Sequence, residues 1–301
     1  MNQITKFIML FSIPILISIS WLLGGTLVHK VTPLELSTIR FIVGSIFLFF
    51  FTDLKSFIKN KTKSEIINWF KVQFFLSLTG RALYAYFSAK SLLTISPFDA
   101  ILLSTSLPVF LLILERFLGQ PFKSHWTPIL GILSFFAVFS SISTNNNSEH
   151  LESLNSLKIG HFEMLGAMLL YATHLIFYKK QVKDYSPWNT LFIQFIFASA
   201  MLLPFDKDHY SSLINFEFID WLRFFIYAII CNLLPFVLVH YCLKIFSSFT
   251  VGAVAILSPL FAFFFSGIYD QTQLSVKSVL ITLTACFLTF LTVRFDQRNI
   301  V

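Results

Sequence analysis

Residues 8–28 read IMLFSIPILISISWLLGGTLV, an apolar run of 21 residues that contains no charged side chain. At 1.5 Å per residue, a helix of this length crosses a hydrocarbon core of about 30 Å. Nine further apolar runs of similar length follow, and together they fill most of the chain. The chain is therefore predicted to be an all-α integral membrane protein with ten transmembrane helices. The predicted spans are 8–28, 33–52, 69–89, 97–117, 125–143, 161–179, 187–205, 221–243, 249–268 and 276–294.

The composition agrees with a membrane location. Of the 301 residues, 56% are apolar and only 12% are charged, whereas a soluble domain carries about 25% charged residues. A net charge of +7 is then typical of basic cytoplasmic loops, and we predict no binding of nucleic acid. The three cysteines lie inside apolar runs, and their spacing predicts neither a disulfide framework nor a metal site.

The distribution of Lys and Arg predicts the orientation in the bilayer. If the N-terminus is cytoplasmic, 14 of these residues lie on the cytoplasmic side and 6 lie on the opposite side. The reverse topology would invert this ratio, and basic loops are characteristically cytoplasmic. We therefore expect a multi-pass protein of the bacterial inner (plasma) membrane with both termini in the cytoplasm. The sequence leaves the oligomeric state open, and a monomer is compatible with it.

The chain also matches itself at an offset of about 151 residues. The offset pairs Pro108 of the fourth span with Pro259 of the ninth, and Arg81 of the third span with Asn232 of the eighth. An odd number of spans in each half makes the halves face opposite ways, so the pattern predicts two inverted five-helix repeats around a central cavity. The alternative is a chance alignment of Phe-rich and Leu-rich helices. The predicted repeats are 1–145 (spans 1–5) and 146–301 (spans 6–10).

Several short motifs stand out along the chain. They are Trp21 with Gly24-Gly25, Pro33-Leu-Glu35, Arg40-Phe41, LSTSLPVF at 103–110 and VAILSPLF at 254–261. Together they resemble the EamA-type transporters of the drug/metabolite transporter superfamily. The resemblance covers the whole chain, because these motifs occur in the order and at the spacing of that family. It implies ten spans, transport of small metabolites, and a structural or cavity-edge role for Arg40.

Arg81 is the first candidate for a binding residue. It lies about halfway along the third span, where a charge costs at least about 2.5–3.5 kcal/mol unless it is paired or hydrated. In the functional interpretation its guanidinium faces a central cavity and binds a carboxylate or another anionic group. In the structural interpretation it caps helix carbonyls or pairs with a Tyr. Tyr84 lies three residues further on, on the same helix face, and Asn232 is the equivalent of Arg81 in the second half.

Two histidines and two aromatic residues complete the candidates. His174 and His240 lie within spans and are candidate proton carriers, because His titrates near neutral pH, or else hydrogen-bonded packing residues. Trp21 and Tyr171 lie at related positions and either stack on a substrate or pack. The predicted substrate-binding residues are Arg81, Tyr84, Trp21, Asn232, His174 and His240, and the predicted gating or kink residues are Pro108 and Pro259, which either flex during transport or hold a fixed bend.

These observations favour a secondary transporter or exporter of small metabolites, possible substrates being amino acids or related carboxylate-bearing compounds, which works by alternating access. The chain has no Walker A loop, so a self-contained ATP-driven pump is excluded. We predict no catalytic residues, no metal and no cofactor; the partners are a small-molecule metabolite and the lipid bilayer. The alternatives are an integral-membrane enzyme acting on lipid-linked substrates and a membrane receptor or scaffold.

Overall fold

A computed structural model gives the architecture of the chain. It describes residues 3–59, 61–119, 158–181, 185–205 and 211–269, with isolated positions at 129–130, 132–133, 136, 280, 283–284, 286–288 and 291. Over these residues the chain is helical and forms no strand. The predicted fifth and tenth spans, 125–143 and 276–294, lie outside the continuously described residues.

Thirteen α-helical segments are described, and two π-helical and three 3-10 segments accompany them. The α-helices are α1 (Gln3–Leu27), α2 (Pro33–Phe49), α3 (Leu54–Lys59), α4 (Lys63–Ser77), α5 (Tyr84–Ser91), α6 (Pro97–Ser104), α7 (Leu107–Phe117), α8 (Ile159–Gln181), α9 (Pro187–Leu202), α10 (Phe218–Phe225), α11 (Leu234–Ile245), α12 (Ser248–Val254) and α13 (Ser258–Tyr269). The π-helical segments are Leu78–Leu83, between α4 and α5, and Ile226–Leu233, between α10 and α11. The 3-10 segments are Leu203–Phe205, Ser211–Asn215 and Ala255–Leu257.

Capping side chains explain where several helices begin. Thr32 and Thr62 each accept a hydrogen bond from the backbone N–H three residues further on. The Glu side chain at that position accepts one from the backbone N–H of the capping residue. Ser96 and Ser247 accept the equivalent hydrogen bond from the third residues of α6 and α12. These caps matter because an unpaired backbone donor in lipid costs several kcal/mol.

Six of the described segments are long and apolar enough to cross a membrane. They are Ile4–Leu27, Pro97–Phe117, Ile159–Gln181, Pro187–Phe205, Phe218–Ile245 and Ser248–Phe265. The predicted second crossing corresponds to α2, which has 17 residues, and the third to the composite run of α4, a π-helical segment and α5. The multi-pass membrane architecture is thus confirmed, while the count of ten spans stays a prediction.

The two halves of the chain repeat the same local irregularities. The π-helical segments hold Arg81 in the first half and Asn232 in the second, the pair that the offset of 151 residues predicts. A turn separates α6 from α7 just before Pro108, and a 3-10 turn separates α12 from α13 just before Pro259. Chance alignment of apolar helices would not place breaks in hydrogen bonding at equivalent positions.

The two halves meet where α2 packs against α9. The rings of Phe41 and Phe195 lie edge to face with their centroids 5.0 Å apart, a favoured aromatic geometry. Gly44 permits this approach, because a Cβ at that position would lie 2.5 Å from the Phe195 ring. Helix α1 contacts α6 of its own half and both α11 and α13 of the other half. The centre of the bundle is therefore built from both halves.

Candidate functional site

A cavity of about 50 Å³ lies between the two halves. Helices α1, α2 and α5 supply one side, and α8, α11 and the second π-helical segment supply the other. Its lining residues are Ile17, Ser20, Trp21, Gly24, Arg40, Tyr84, Ser88, Ala89, Leu92, Tyr171, Tyr227, Cys231, Asn232, Pro235, Phe236 and Val239. We call this space the polar lobe, because Arg40 and Asn232 lie in its wall.

A second, smaller space of about 30 Å³ adjoins the polar lobe. The two share five lining residues: Ile17, Trp21, Tyr84, Tyr171 and Val239. We call it the apolar lobe, because aliphatic side chains dominate the rest of its wall. Those further lining residues are Ile13, Ser104, Leu107, Met168, Leu175, Val251, Gly252 and Ala255. The rings of Tyr84 and Tyr171 are stacked at the boundary, with centroids 4.8 Å apart.

Arg40 is the charged residue in the wall of the polar lobe. Its side chain is buried, and Nη1 donates hydrogen bonds to the Tyr227 hydroxyl at 2.7 Å and to Asn232 Oδ1 at 3.1 Å. Nε and Nη2 have no hydrogen-bond partner in the protein. Its guanidinium carbon also lies 5.1 Å from the centre of the Phe41 ring. Two donors of a buried cation are thus left for another group to satisfy.

The second π-helical segment positions the partners of Arg40. Asn232 donates from Nδ2 to the backbone carbonyl of Tyr227 at 3.0 Å and to Ser20 Oγ at 3.3 Å. This orientation of the amide turns its oxygen toward Arg40. Tyr227 and Asn232 both lie in Ile226–Leu233, and π-helical turns of this kind are frequent at functional sites. The irregular part of this helix therefore carries both hydrogen-bond partners of Arg40.

Arg81 lies behind the cavity rather than in its wall. It is fully buried, and the lining residues of the two lobes do not include it in this conformation. Its contact with a substrate stays a prediction. The guanidinium carbon lies 3.9 Å from the centre of the Phe236 ring, and Phe236 itself lines the polar lobe. Nη1 donates to the Gly80 carbonyl at 3.0 Å. Arg81 thus supports the wall through an aromatic ring.

The two predicted histidines contact Arg81 from two helices of the second half, His174 from α8 and His240 from α11. Nη2 of Arg81 lies 3.5 Å from Nε2 of His174 and 3.5 Å from Nε2 of His240. Each histidine has Nδ1 on a backbone carbonyl, that of Leu76 at 3.0 Å and that of Phe236 at 2.7 Å. A carbonyl only accepts, so each Nδ1 carries the proton, and each Nε2 presents a lone pair to the guanidinium.

The remaining predicted residues divide between the cavity and its surroundings. Trp21, Tyr84 and Asn232 line the polar lobe, whereas Pro108 and Pro259 line neither lobe. Both prolines lie in the first turn of a new helix, after the breaks described above. A proline at that place needs no backbone donor, and each follows a break inside a longer spanning segment. Whether these breaks flex during transport stays a prediction.

Sequence reasoning missed Tyr227 and Ser20, and it gave Arg40 only a supporting role. A signal for Arg40 was present, since Arg40 and Arg81 are the two arginines that lie away from the ends of the predicted spans. Nothing in the sequence marks Tyr227, one of nine tyrosines. Its importance depends on a contact with Arg40 across 187 positions of the chain.

Two ion pairs join the halves at one end of the bundle, where α1 ends and α8 begins. Lys30 Nζ lies 2.6 Å from Asp220 Oδ1, and Lys90 Nζ lies 2.7 Å from Glu163 Oε1. The Asp220 side chain is buried, while the Lys30 side chain is half exposed. These contacts link the two halves at that end.

Comparisons with known proteins agree with this architecture. A family model described as the EamA-like transporter family matches the chain twice, over residues 5–143 and 158–294. A solved crystal structure has the same fold, with a TM-score of 0.66 and 11% sequence identity over 99% of this chain and 98% of the other. None of the curated proteins matches the chain in sequence. With two consecutive matches that together span nearly all of its length, the chain belongs to the EamA-like transporter family and is a membrane protein of the small-molecule transporter class.

Proposed function

We propose that this protein is a secondary transporter of small metabolites that carry a carboxylate, the wider class to which amino acids and related compounds belong, and that the carboxylate binds at Arg40. The observation that carries the proposal is the unsatisfied guanidinium in the cavity wall: Arg40 is buried, and its Nε and Nη2 have no partner. Charged residues inside spanning segments typically mark a substrate pathway.

The geometry of a guanidinium favours a carboxylate as the missing partner. Nε and Nη2 are neighbouring donors of a planar fork, and a carboxylate offers two oxygens that accept from such a fork side by side. Leaving a buried ion uncompensated costs several kcal/mol. The two neutral acceptors of Nη1, Tyr227 and Asn232, offset only part of that cost. A carboxylate bound to Nε and Nη2 would therefore stabilise the site further.

The other predicted site residues have distinct roles in this proposal. Trp21, Tyr84 and Asn232 contact the substrate, because they line the polar lobe. His174 and His240 act through Arg81, which supports the wall beside Phe236. A change in this cluster would move Phe236 and so alter the cavity without direct contact with the substrate.

Alternating access is the mechanism that the architecture supports best. The cavity lies between two repeats, and a rocking motion of one repeat against the other would open it to either side in turn. Opening at the end that bears Lys30 and Lys90 requires the two ion pairs there to separate. With the N-terminus and the C-terminus in the cytoplasm, that end faces away from the cytoplasm. The protein acts as a monomer in this proposal.

The test is counterflow of radiolabelled carboxylates into liposomes that contain the purified protein. Arg40→Gln should abolish counterflow, and Arg40→Lys should weaken it, because Lys keeps the charge and loses the planar fork. Lys71→Gln is the control, since Lys71 is exposed on α4 and lines neither lobe. Wild-type counterflow in Arg40→Gln would contradict the proposal, as would equal losses in Arg40→Gln and Lys71→Gln.

A further inference from the structure

The wall of the cavity carries a positive charge and no negative charge among the described lining residues. Among the residues that line the two lobes, Arg40 is the one with a formal charge, and none is an Asp or Glu. The acceptors nearest to Arg40 are already in use, because the Tyr227 hydroxyl and Asn232 Oδ1 both accept from it. The described cavity therefore offers a cation for an anionic group and no anion for a cationic group.

An amino acid would bring a second charge into this site. Its α-ammonium is bonded to the carbon next to the carboxylate, so a carboxylate held at Arg40 places the ammonium close to the same guanidinium. Two like charges at such separations repel strongly where the dielectric constant is low. The ammonium would also lose its hydration without gaining an anionic partner.

The apolar lobe indicates what the other end of the substrate is. Beyond the stacked rings of Tyr84 and Tyr171, its wall consists mainly of aliphatic side chains, with Leu107, Leu175 and Val251 among them. The lobes share five lining residues, so a molecule that spans both would pass the stacked tyrosines. An aromatic or branched apolar tail would bury its surface there and stack on the tyrosine pair.

From these three observations we infer that the cavity selects monoanionic carboxylates with an apolar or aromatic tail and discriminates against amino acids. The inference rests on the proposed function and narrows its substrate class. Apolar sites reject an added neutral hydroxyl by about 100-fold. An added ammonium beside Arg40 should therefore weaken binding by at least about 100-fold.

The experiment compares four ligands that differ by one group each, on the purified wild-type protein at neutral pH. They are 3-phenylpropanoate, L-phenylalanine with an added ammonium, 2-phenylethylamine without the carboxylate, and propanoate without the tail. Binding is measured by calorimetry, because passive permeation of the weak acid does not disturb that measurement. The expected order is 3-phenylpropanoate first, propanoate second, and L-phenylalanine at least about 100-fold weaker than 3-phenylpropanoate.

A variant tests the apolar lobe separately. Val251→Phe fills the space behind the stacked tyrosines and should weaken 3-phenylpropanoate at least tenfold, while propanoate, which does not reach that lobe, binds as before. Unchanged propanoate binding also shows that the variant is folded. Equal loss of both ligands, or of neither, overturns the placement of the tail.

The outcomes separate this inference from the proposed function. If L-phenylalanine binds as tightly as 3-phenylpropanoate and Arg40→Gln abolishes both, the cavity is a carboxylate site and the discrimination against amino acids is wrong. If 2-phenylethylamine binds best, both the inference and the carboxylate proposal are wrong. If none of the four binds, the proposed substrate class fails and the inference fails with it.

Discussion

Replacing Arg81 by Met should leave the protein as stable as the wild type and stop transport. Met is apolar and of comparable length, so it fills the space of the guanidinium without its charge. Arg81 is fully buried, and no carboxylate pairs with it among the described residues. A charge in that situation is expensive, and such charges are retained where function needs them.

The magnitude follows from the contacts of Arg81. Met loses a charge-assisted hydrogen bond to the Gly80 carbonyl, about 1.5–3 kcal/mol, and a cation–π contact with Phe236, about 2 kcal/mol when desolvated. The 3.5 Å contacts with the two histidines are at the limit of a hydrogen bond and add little. Against these losses, removal of the buried ion regains a desolvation penalty of several kcal/mol. The two sides nearly cancel.

The assay measures the melting temperature and carboxylate counterflow on the same purified variants. Arg81→Met should melt close to the wild type, and Arg81→Ala should be less stable by about 2–5 kcal/mol, because Ala leaves a cavity where Met fills it. Both should lose counterflow. The reasoning is refuted if Arg81→Met transports at the wild-type rate, or if it melts as low as Arg81→Ala, which would make Arg81 a structural residue.

Three further predictions concern helix packing, the Lys30–Asp220 ion pair and the membrane topology. Gly80→Ala should prevent folding or displace a histidine, because a Cβ there would lie 2.1 Å from the ring of His174; the control Gly166→Ala, with nothing within 4 Å, should keep the wild-type yield and melting temperature. Lys30→Met breaks a half-exposed ion pair worth about 0.5–1 kcal/mol and should speed thiol labelling of Cys231, which lines the cavity, about 2- to 5-fold; unchanged labelling would separate that ion pair from the opening of the cavity. A reporter active only in the cytoplasm and fused to the C-terminus should be active, and a signal from the opposite side would overturn the predicted orientation.

The sequence predicted the architecture because the bilayer limits the choices. Apolar runs of about 20 residues in lipid have few alternatives to a helix, since helices satisfy every backbone group internally. The offset of 151 residues likewise located equivalent positions, and the structure places irregular helix turns at Arg81 and Asn232. The apolar runs and the internal repeat can both be recognised in the sequence alone.

The tertiary structure decided which arginine lies in the cavity. The sequence does not distinguish Arg40 from Arg81, because each is a cation inside an apolar run. What distinguishes them is the rotation of each helix about its axis and the partners that the other half supplies. Tyr227 and Asn232 reach Arg40 from almost 190 positions away, whereas Phe236 and two histidines enclose Arg81. The sequence pattern thus determined that two cations lie inside apolar helices. Both keep a donor without a partner, and only packing between the halves determined that Arg40 is the one in the wall of a cavity. Such contacts join residues that no local periodicity relates.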